Sequence, residues 1–318
     1  MIEYDRFQWW RNTFAWRGTA LPLAYRRVLV ATCYCLLLTC LYQVGIAEKW
    51  LSAKTLQGLD PFAHGVLGSL IGFLIVFRLN ASNARYWEGR SLWGGLINTS
   101  RNLVRAGAAW TTDGATLADL VSGYAVTLRC SLRGERDLIE AAYYLPAKVV
   151  QQATRFGNPP SAVAAAMTEW IVERRHVDRL EPQQVRHLEQ LVAALVDCQG
   201  GCEKIQKTPL PFAYASLIKQ LILTYLVTLP LVLVPRTDWW GPLLMGVVSL
   251  GMLGMEEVSV EVEDPFGTHP NCLDLETLTM TIARDVGQLT ESIDADRDPS
   301  GPAGGPTRFS GTVDSRRR

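Results

Sequence analysis

The chain has 318 residues, enough for one large domain or two small ones. Its 31 Lys and Arg are balanced by 31 Asp and Glu, so no net positive charge supports a nucleic-acid partner. Seven cysteines, an odd number with Cys33, Cys35 and Cys40 inside one apolar run, argue against a disulfide framework.

The first 27 residues are rich in Arg and Trp, and the first apolar run starts too late for a signal peptide. Residues 28–47 are free of charge and long enough to span a bilayer. Arg6, Arg11, Arg17, Arg26 and Arg27 precede this run, whereas only Glu48, Lys49, Lys54 and Asp60 separate it from the next. That asymmetry predicts a cytoplasmic N-terminus. Residues 61–77 form a second apolar run, ending on Arg78 and passing without a turn signal into a polar stretch that holds Arg85, Tyr86, Trp87, Glu88 and Arg90. An ordinary membrane anchor stops at the interface; one that continues as a structured helix suggests a pore or a transduction element.

Residues 78–220 carry helical apolar spacing at Leu117, Leu120, Val121, Tyr124 and Leu128, and again at Val185, Leu188, Val192 and Leu195. Pro159-Pro160-Ser161 is a helix start. Nothing alternates with period 2, so a helical cytosolic region is predicted. Residues 221–235 and 239–255 are broken only by Arg236, Thr237 and Asp238, which fits a hairpin of two spans with Trp239 and Trp240 at the interface. Pro230 predicts a kink in the third span. Four spans return the C-terminus to the cytoplasm. The final stretch, 291–318, turns to Gly, Pro, Ser and Arg and is expected to be a disordered tail.

Within the second run, Phe62, Val66 and Leu70 lie at i, i+4 and i+8 and share one helix face. Periodicity alone fits a packed or lipid-facing surface as well as a pore lining. Gly65, Gly68 and Gly72, interleaved with them, allow neighbouring helices to approach closely. No Walker loop, HExxH or nucleophile elbow is present and the four histidines are scattered, so neither an enzyme nor a cofactor is expected. Cys198 and Cys202 have a spacing that permits a metal, without a further ligand pair.

Four stretches occur in order along the chain: Trp16-Arg17-Gly18-Thr19; Phe77-Arg78-Leu79-Asn80 with Tyr86-Trp87-Glu88-Gly89-Arg90 and Trp93; Thr208-Pro209-Leu210-Pro211-Phe212-Ala213-Tyr214; and Glu263-Asp264-Pro265-Phe266-Gly267. Together they resemble the bestrophin family of ion channels, in its bacterial branch, over about residues 1–290. The resemblance implies an all-α membrane protein with four transmembrane helices per subunit, assembled as a homopentamer around one central pore in the bacterial inner membrane. It implies passive conduction of small monovalent ions across the lipid bilayer. Chloride and other anions are the family's best-known cargo, and bacterial relatives include cation-conducting members.

By the same resemblance Phe62, Val66 and Leu70 match a hydrophobic neck that gates by dewetting, and Leu210 matches a cytosolic aperture. Arg78 then either supplies positive potential at the pore mouth or forms a structural ion pair with a carboxylate such as Glu88. Eukaryotic members bind calcium in the region matching 261–274. Here Thr268-His269-Pro270-Asn271-Cys272 replaces the acidic run, too few oxygens for calcium, so calcium-insensitive currents are expected. His269 and Cys272 suit a softer metal, though isolated polar residues of this kind are more often structural. An alternating-access carrier and a non-conducting scaffold or sensor are the rival readings. The spans lack an inverted repeat, which counts against the carrier.

Overall fold

The computed structural model describes residues 5, 7–50 and 60–297. Ten α-helices occur among them: α1 (Trp9–Thr13), α2 (Leu21–Ala47), α3 (Pro61–Trp110), α4 (Gly114–Leu132), α5 (Ala147–Arg155), α6 (Pro159–Val177), α7 (Pro182–Lys207), α8 (Phe212–Thr237), α9 (Gly241–Glu263) and α10 (Leu275–Arg297). No strand occurs among the described residues. The chain divides into two compact units, one of Met1–Glu88 with Thr208–Cys272 and one of Gly89–Lys207 with Leu273–Arg318.

Helix boundaries follow local chemistry and extend beyond the apolar runs. α2 begins seven residues before the predicted 28, because Pro22 sits in its first turn, where a missing N–H costs nothing. Arg26 and Arg27 therefore belong to the helix. α3 continues unbroken from the apolar run to Trp110, as the absent turn signal predicts. α8 starts at Phe212 after Pro211 and runs on through Pro230 and Pro235. A short 3-10 turn, Asp238–Trp240, joins it to α9, with Asp238 in the left-handed region at φ 47°. α10 extends to Arg297, so the tail boundary expected at 291 falls inside a helix. Residues 298–318, like Arg6 and Lys54 of the charge argument, lie outside the described residues.

In the first unit, α8 and α9 form an antiparallel hairpin: Thr237 lies beside Gly241 at the turn, and Lys219 meets Glu256 at the open end. α2 packs against both helices, with Thr32 beside Gly246 and the Tyr34 hydroxyl donating to the Val227 carbonyl at 3.3 Å. The core joins Cys35 and Tyr42 of α2, Ile71 and Ile75 of α3, Ile222 and Leu226 of α8, and Met245 of α9. Three helical stretches, Leu21–Ala47, Pro61–Trp110 and Phe212–Glu263, are long and apolar enough to cross a membrane. The last of these contains the α8–α9 hairpin.

The second unit packs α4 against α6 and α10, with α5 and α7 against α6. Its core is conventional: Trp93, Leu103, Leu117, Leu128, Met167 and Leu188 are fully buried. A polar wire crosses this core. The buried Tyr124 hydroxyl donates to Gln199 Oε1 at 2.8 Å, and Gln199 Nε2 donates to Asn158 Oδ1 at 3.0 Å and Glu203 Oε1 at 2.7 Å. Burial pushes the Tyr124 phenol up, so it stays a neutral donor. Burial alone would raise the Glu203 carboxyl; hydrogen bonds from Lys207, Gln199 and Asn158 outweigh it and hold that group below its ordinary range. Asn158 also caps α6, accepting from the Ser161 amide at 3.3 Å.

Candidate functional site

Two faces of α3 differ sharply before Glu88. One is buried, with Ile71, Arg78 and Ser82 at or below 2 % exposure. The opposite face carries Phe62, Val66 and Leu70 at 78 %, 55 % and 54 % exposure, followed by Phe73 and Phe77. At 100° per residue these five side chains fall within one narrow stripe. The structure thus brings the three expected neck residues onto one exposed face and adds two phenylalanines to it. The glycines divide in the same way. A Cβ at Gly68 would lie 2.6 Å from the Tyr225 hydroxyl, so any side chain there would have to displace the Tyr225 ring of α8. Gly65 and Gly72 have nothing within 4 Å.

Arg78 ends the apolar part of α3 and is buried. Its guanidinium donates to Glu256 Oε1 at 2.9 Å and lies 3.7 Å from Glu263 Oε2. The anticipated pairing with Glu88 does not occur. Ten residues of helix place Glu88 about 15 Å farther along the axis, whereas α9 delivers two carboxylates directly. Glu256 is itself buried and also meets Lys219 at 3.5 Å and Arg27 at 3.6 Å. Arg27 additionally pairs with Glu257. A buried arginine held between two carboxylates is compensated, and removing either partner would leave an unpaired charge.

Glu263, the last residue of α9, extends this network to Leu210. Its Oε1 accepts the Leu210 amide at 2.9 Å, and its carbonyl accepts Arg85 Nε at 3.2 Å. Arg85 also donates to the Thr208 carbonyl. The turn preceding α8 is therefore pinned to the α3 helix through one glutamate. Leu210 is half-buried between Pro209 and Pro211, and Pro211 fixes the entry to α8. In the sequence Glu263 stands out only as part of a motif, and nothing marks Glu256 or the partner of either residue. The only signal is general: an ionisable residue at the end of an otherwise apolar run requires a partner.

The loop after α9 is held by hydrogen bonds. Asp264 Oδ1 accepts the Phe266 amide at 3.2 Å, and His269 Nε2 bonds the Asp264 carbonyl at 2.9 Å. Asn271 Nδ2 donates to the Gly18 carbonyl at 3.0 Å and to Glu261 Oε2 at 3.2 Å, tying the loop to the first motif, where Gly18 has φ 77°. Cys272 is buried. Among the described residues no group of three or more His, Cys, Asp and Glu side chains converges to hold a metal, whether at His269 and Cys272 or at Cys198 and Cys202. All seven cysteines are free thiols.

Comparison with known proteins places these features in context. The model of the bacterial/fungal bestrophin family matches residues 1–288. A voltage-dependent anion channel-forming protein of Nostoc sp. is 33 % identical over 303 residues, covering 89 % of this chain and 92 % of the relative. The voltage-dependent anion channel-forming protein YneE of Escherichia coli K12 is 29 % identical over 297 residues, covering 92 % and 94 %. A bacterial bestrophin homologue from Klebsiella pneumoniae, solved by crystallography, matches with a TM-score of 0.76 at 24 % identity, covering 84 % of this chain and 98 % of that one.

Proposed function

Because the chain belongs to the bacterial/fungal bestrophin family, we propose that it is a passive membrane channel for small monovalent anions, and not an enzyme. The observation that carries this reading is the stripe of Phe62, Val66, Leu70, Phe73 and Phe77, exposed to the outside of the chain while the reverse face of the same helix is buried. Such a stripe needs lipid, a pore or a neighbouring copy to cover it. Symmetry-related copies around an axis satisfy the requirement and stack apolar rings into a constriction that opens by wetting. The names of the Nostoc and Escherichia relatives favour anions as the permeant species.

In this reading the assembly is a homopentamer in the bacterial inner membrane. α2, the first part of α3, α8 and α9 are the four membrane crossings, both termini are cytoplasmic, and residues 78–220 form the cytosolic region. Phe62, Val66 and Leu70 make the neck, and Leu210 makes the second constriction. Glu263 holds the Leu210 turn to the same helix that carries the neck, a direct mechanical link between the two. Arg78 is structural, since its charge is met by Glu256 and Glu263. Calcium has no part in gating, because the 264–272 loop holds itself together through Asp264, His269 and Asn271.

The test is a planar-bilayer recording of the purified chain under a chloride gradient, repeated with buffered calcium up to the micromolar range. Unitary steps that reverse near the chloride equilibrium potential, unchanged by calcium, are expected. Smooth saturable flux without steps would identify a carrier, and silence in an intact assembly a scaffold. Reversal near the cation potential would keep the channel and reverse its selectivity.

A further inference from the structure

A groove of about 470 Å³ lies between α2 and α8, floored by Leu253 and Glu256 of α9. Its walls are Val30 and Tyr34 on one side and Leu223 and Val227 on the other. Val30, Leu223 and Val227 are 69 %, 65 % and 47 % exposed, so the groove opens outward along an apolar face. From Lys219 to Val227 the helix rises about 12 Å, which suits a stretch of acyl chain lying along it. Cations gather at one end only. Arg26 and Arg27 on α2 and Lys219 on α8 surround the mouth there, and the Arg27 and Lys219 side chains are 51 % and 57 % exposed.

The local charges do not cancel. Arg27, Arg78 and Lys219 meet Glu256, Glu257 and Glu263, and Arg26 at the groove mouth adds a cation beyond these. Glu256 and Arg78 are buried against one another. Arg26 is exposed and makes its hydrogen bond to the neighbouring Tyr25 hydroxyl at 3.1 Å, not to a carboxylate. The surface that remains at the groove mouth is therefore positive, and the channel beneath it is aliphatic.

We propose that this groove binds an anionic glycerophospholipid, with its phosphate among Arg26, Arg27 and Lys219 and one acyl chain lying between α2 and α8. A cationic end joined to an apolar trough complements that amphiphile in both parts. A wholly apolar tail would leave the cations unmatched, and a free anion would leave the trough empty. Each basic side chain near an anionic headgroup favours it about fivefold.

Native mass spectrometry of the intact detergent-purified protein, titrated with equal amounts of phosphatidylglycerol and phosphatidylcholine, tests this. The wild type should retain phosphatidylglycerol preferentially. Arg26→Gln with Lys219→Gln should cut that preference about 25-fold. Arg27 is left in place because it pairs with two carboxylates, Glu256 and Glu257, whereas Glu256 keeps Arg78 and Arg27 when Lys219 is replaced. A second variant, Ala31→Trp, at a position on the α2 wall of the groove, fills the trough and keeps every charge. It should reduce tightly held phosphatidylglycerol several-fold at unchanged assembly mass. Equal retention of the two lipids by the wild type would overturn the proposal. So would a preference that survives the charge substitutions. So would a loss of assembly mass in Ala31→Trp, which would give the groove to a second copy of the chain. Binding is read by mass, so its failure is separable from any failure to conduct.

Discussion

α3 is one helix with two kinds of surface. Up to Glu88 its outward face is Phe62, Val66, Leu70, Phe73 and Phe77; from Gly89 onward its exposed positions include Asn98, Arg101 and Arg105, while Trp93, Leu96, Leu103 and Val104 are buried. The second stretch is an ordinary amphipathic helix made for water. In the first, apolar groups face out, and an arginine, two serines and a glutamate are buried alongside Ile71 and Ile75. There Ser82 Oγ meets Ser259 Oγ at 3.1 Å beside the Arg78–Glu256 pair. The contrast implies that polar pairing adds to the apolar core of the first unit, because burying apolar surface gains little when the surroundings are apolar too. The second unit relies on the hydrophobic effect.

The largest effect that tests this contrast comes from breaking the buried pair. Arg78→Ala leaves Glu256 and Glu263 without their shared guanidinium and should destabilise the fold by about 3–5 kcal/mol. A thermal melt of the detergent-solubilised protein reads it, and an unchanged midpoint would remove the pair from the stability account. Packing gives the next comparison. A Cβ at Gly123 in the second unit would lie 2.3 Å from Leu145 Cδ2, whereas Gly72 in the first has nothing within 4 Å. Gly123→Ala should cost about 1–3 kcal/mol and Gly72→Ala less than about 0.5 kcal/mol. A large loss of assembly mass in Gly72→Ala would show that another copy of the chain already occupies that space.

Functional changes should follow without loss of stability. Replacing Phe62, Val66 and Leu70 together by alanine should ease wetting and raise open probability or unitary current several-fold, since the side chains make no core contact. Unchanged currents in an intact assembly would take these residues out of the gate. Leu210→Ala should have the smallest effect on opening, and instead flatten the permeability ratios among ions of one sign. If gating shifts while the ratios hold, the two constrictions have swapped roles.

Much of this architecture was legible in the sequence. Charge-free length marked the membrane-grade runs, and the missing turn signal after Arg78 foretold the unbroken α3. The Arg236–Asp238 interruption overlaps the hairpin turn at Asp238, with Trp239 and Trp240 in the turn itself. Helix starts were less legible. Arg26 and Arg27 looked like flanking charges and are helical, because Pro22 can open a helix seven residues earlier. α10 was not anticipated from the sequence, and the Asp and Arg of its last turns resemble the polar tail beyond. In the site, spacing gave the stripe of Phe62, Val66 and Leu70, but could not give the partners of Arg78. Those lie 178 and 185 residues away in sequence on α9, and only the packing of α9 against α3 brings them together. Local reasoning reached for Glu88 because it was near in sequence, and helix rise rules it out.

The central claim is that the outward apolar face of α3 lines the conduction path. Val66→Cys, made in a Cys33→Ser background because Cys33 is an exposed native thiol, places a single thiol on that face. A charged, membrane-impermeant thiol reagent applied during bilayer recording should react and change the unitary current abruptly. A thiol left unmodified would put the face in lipid, and a modified thiol with unchanged current would put it outside the pore; either result contradicts the account.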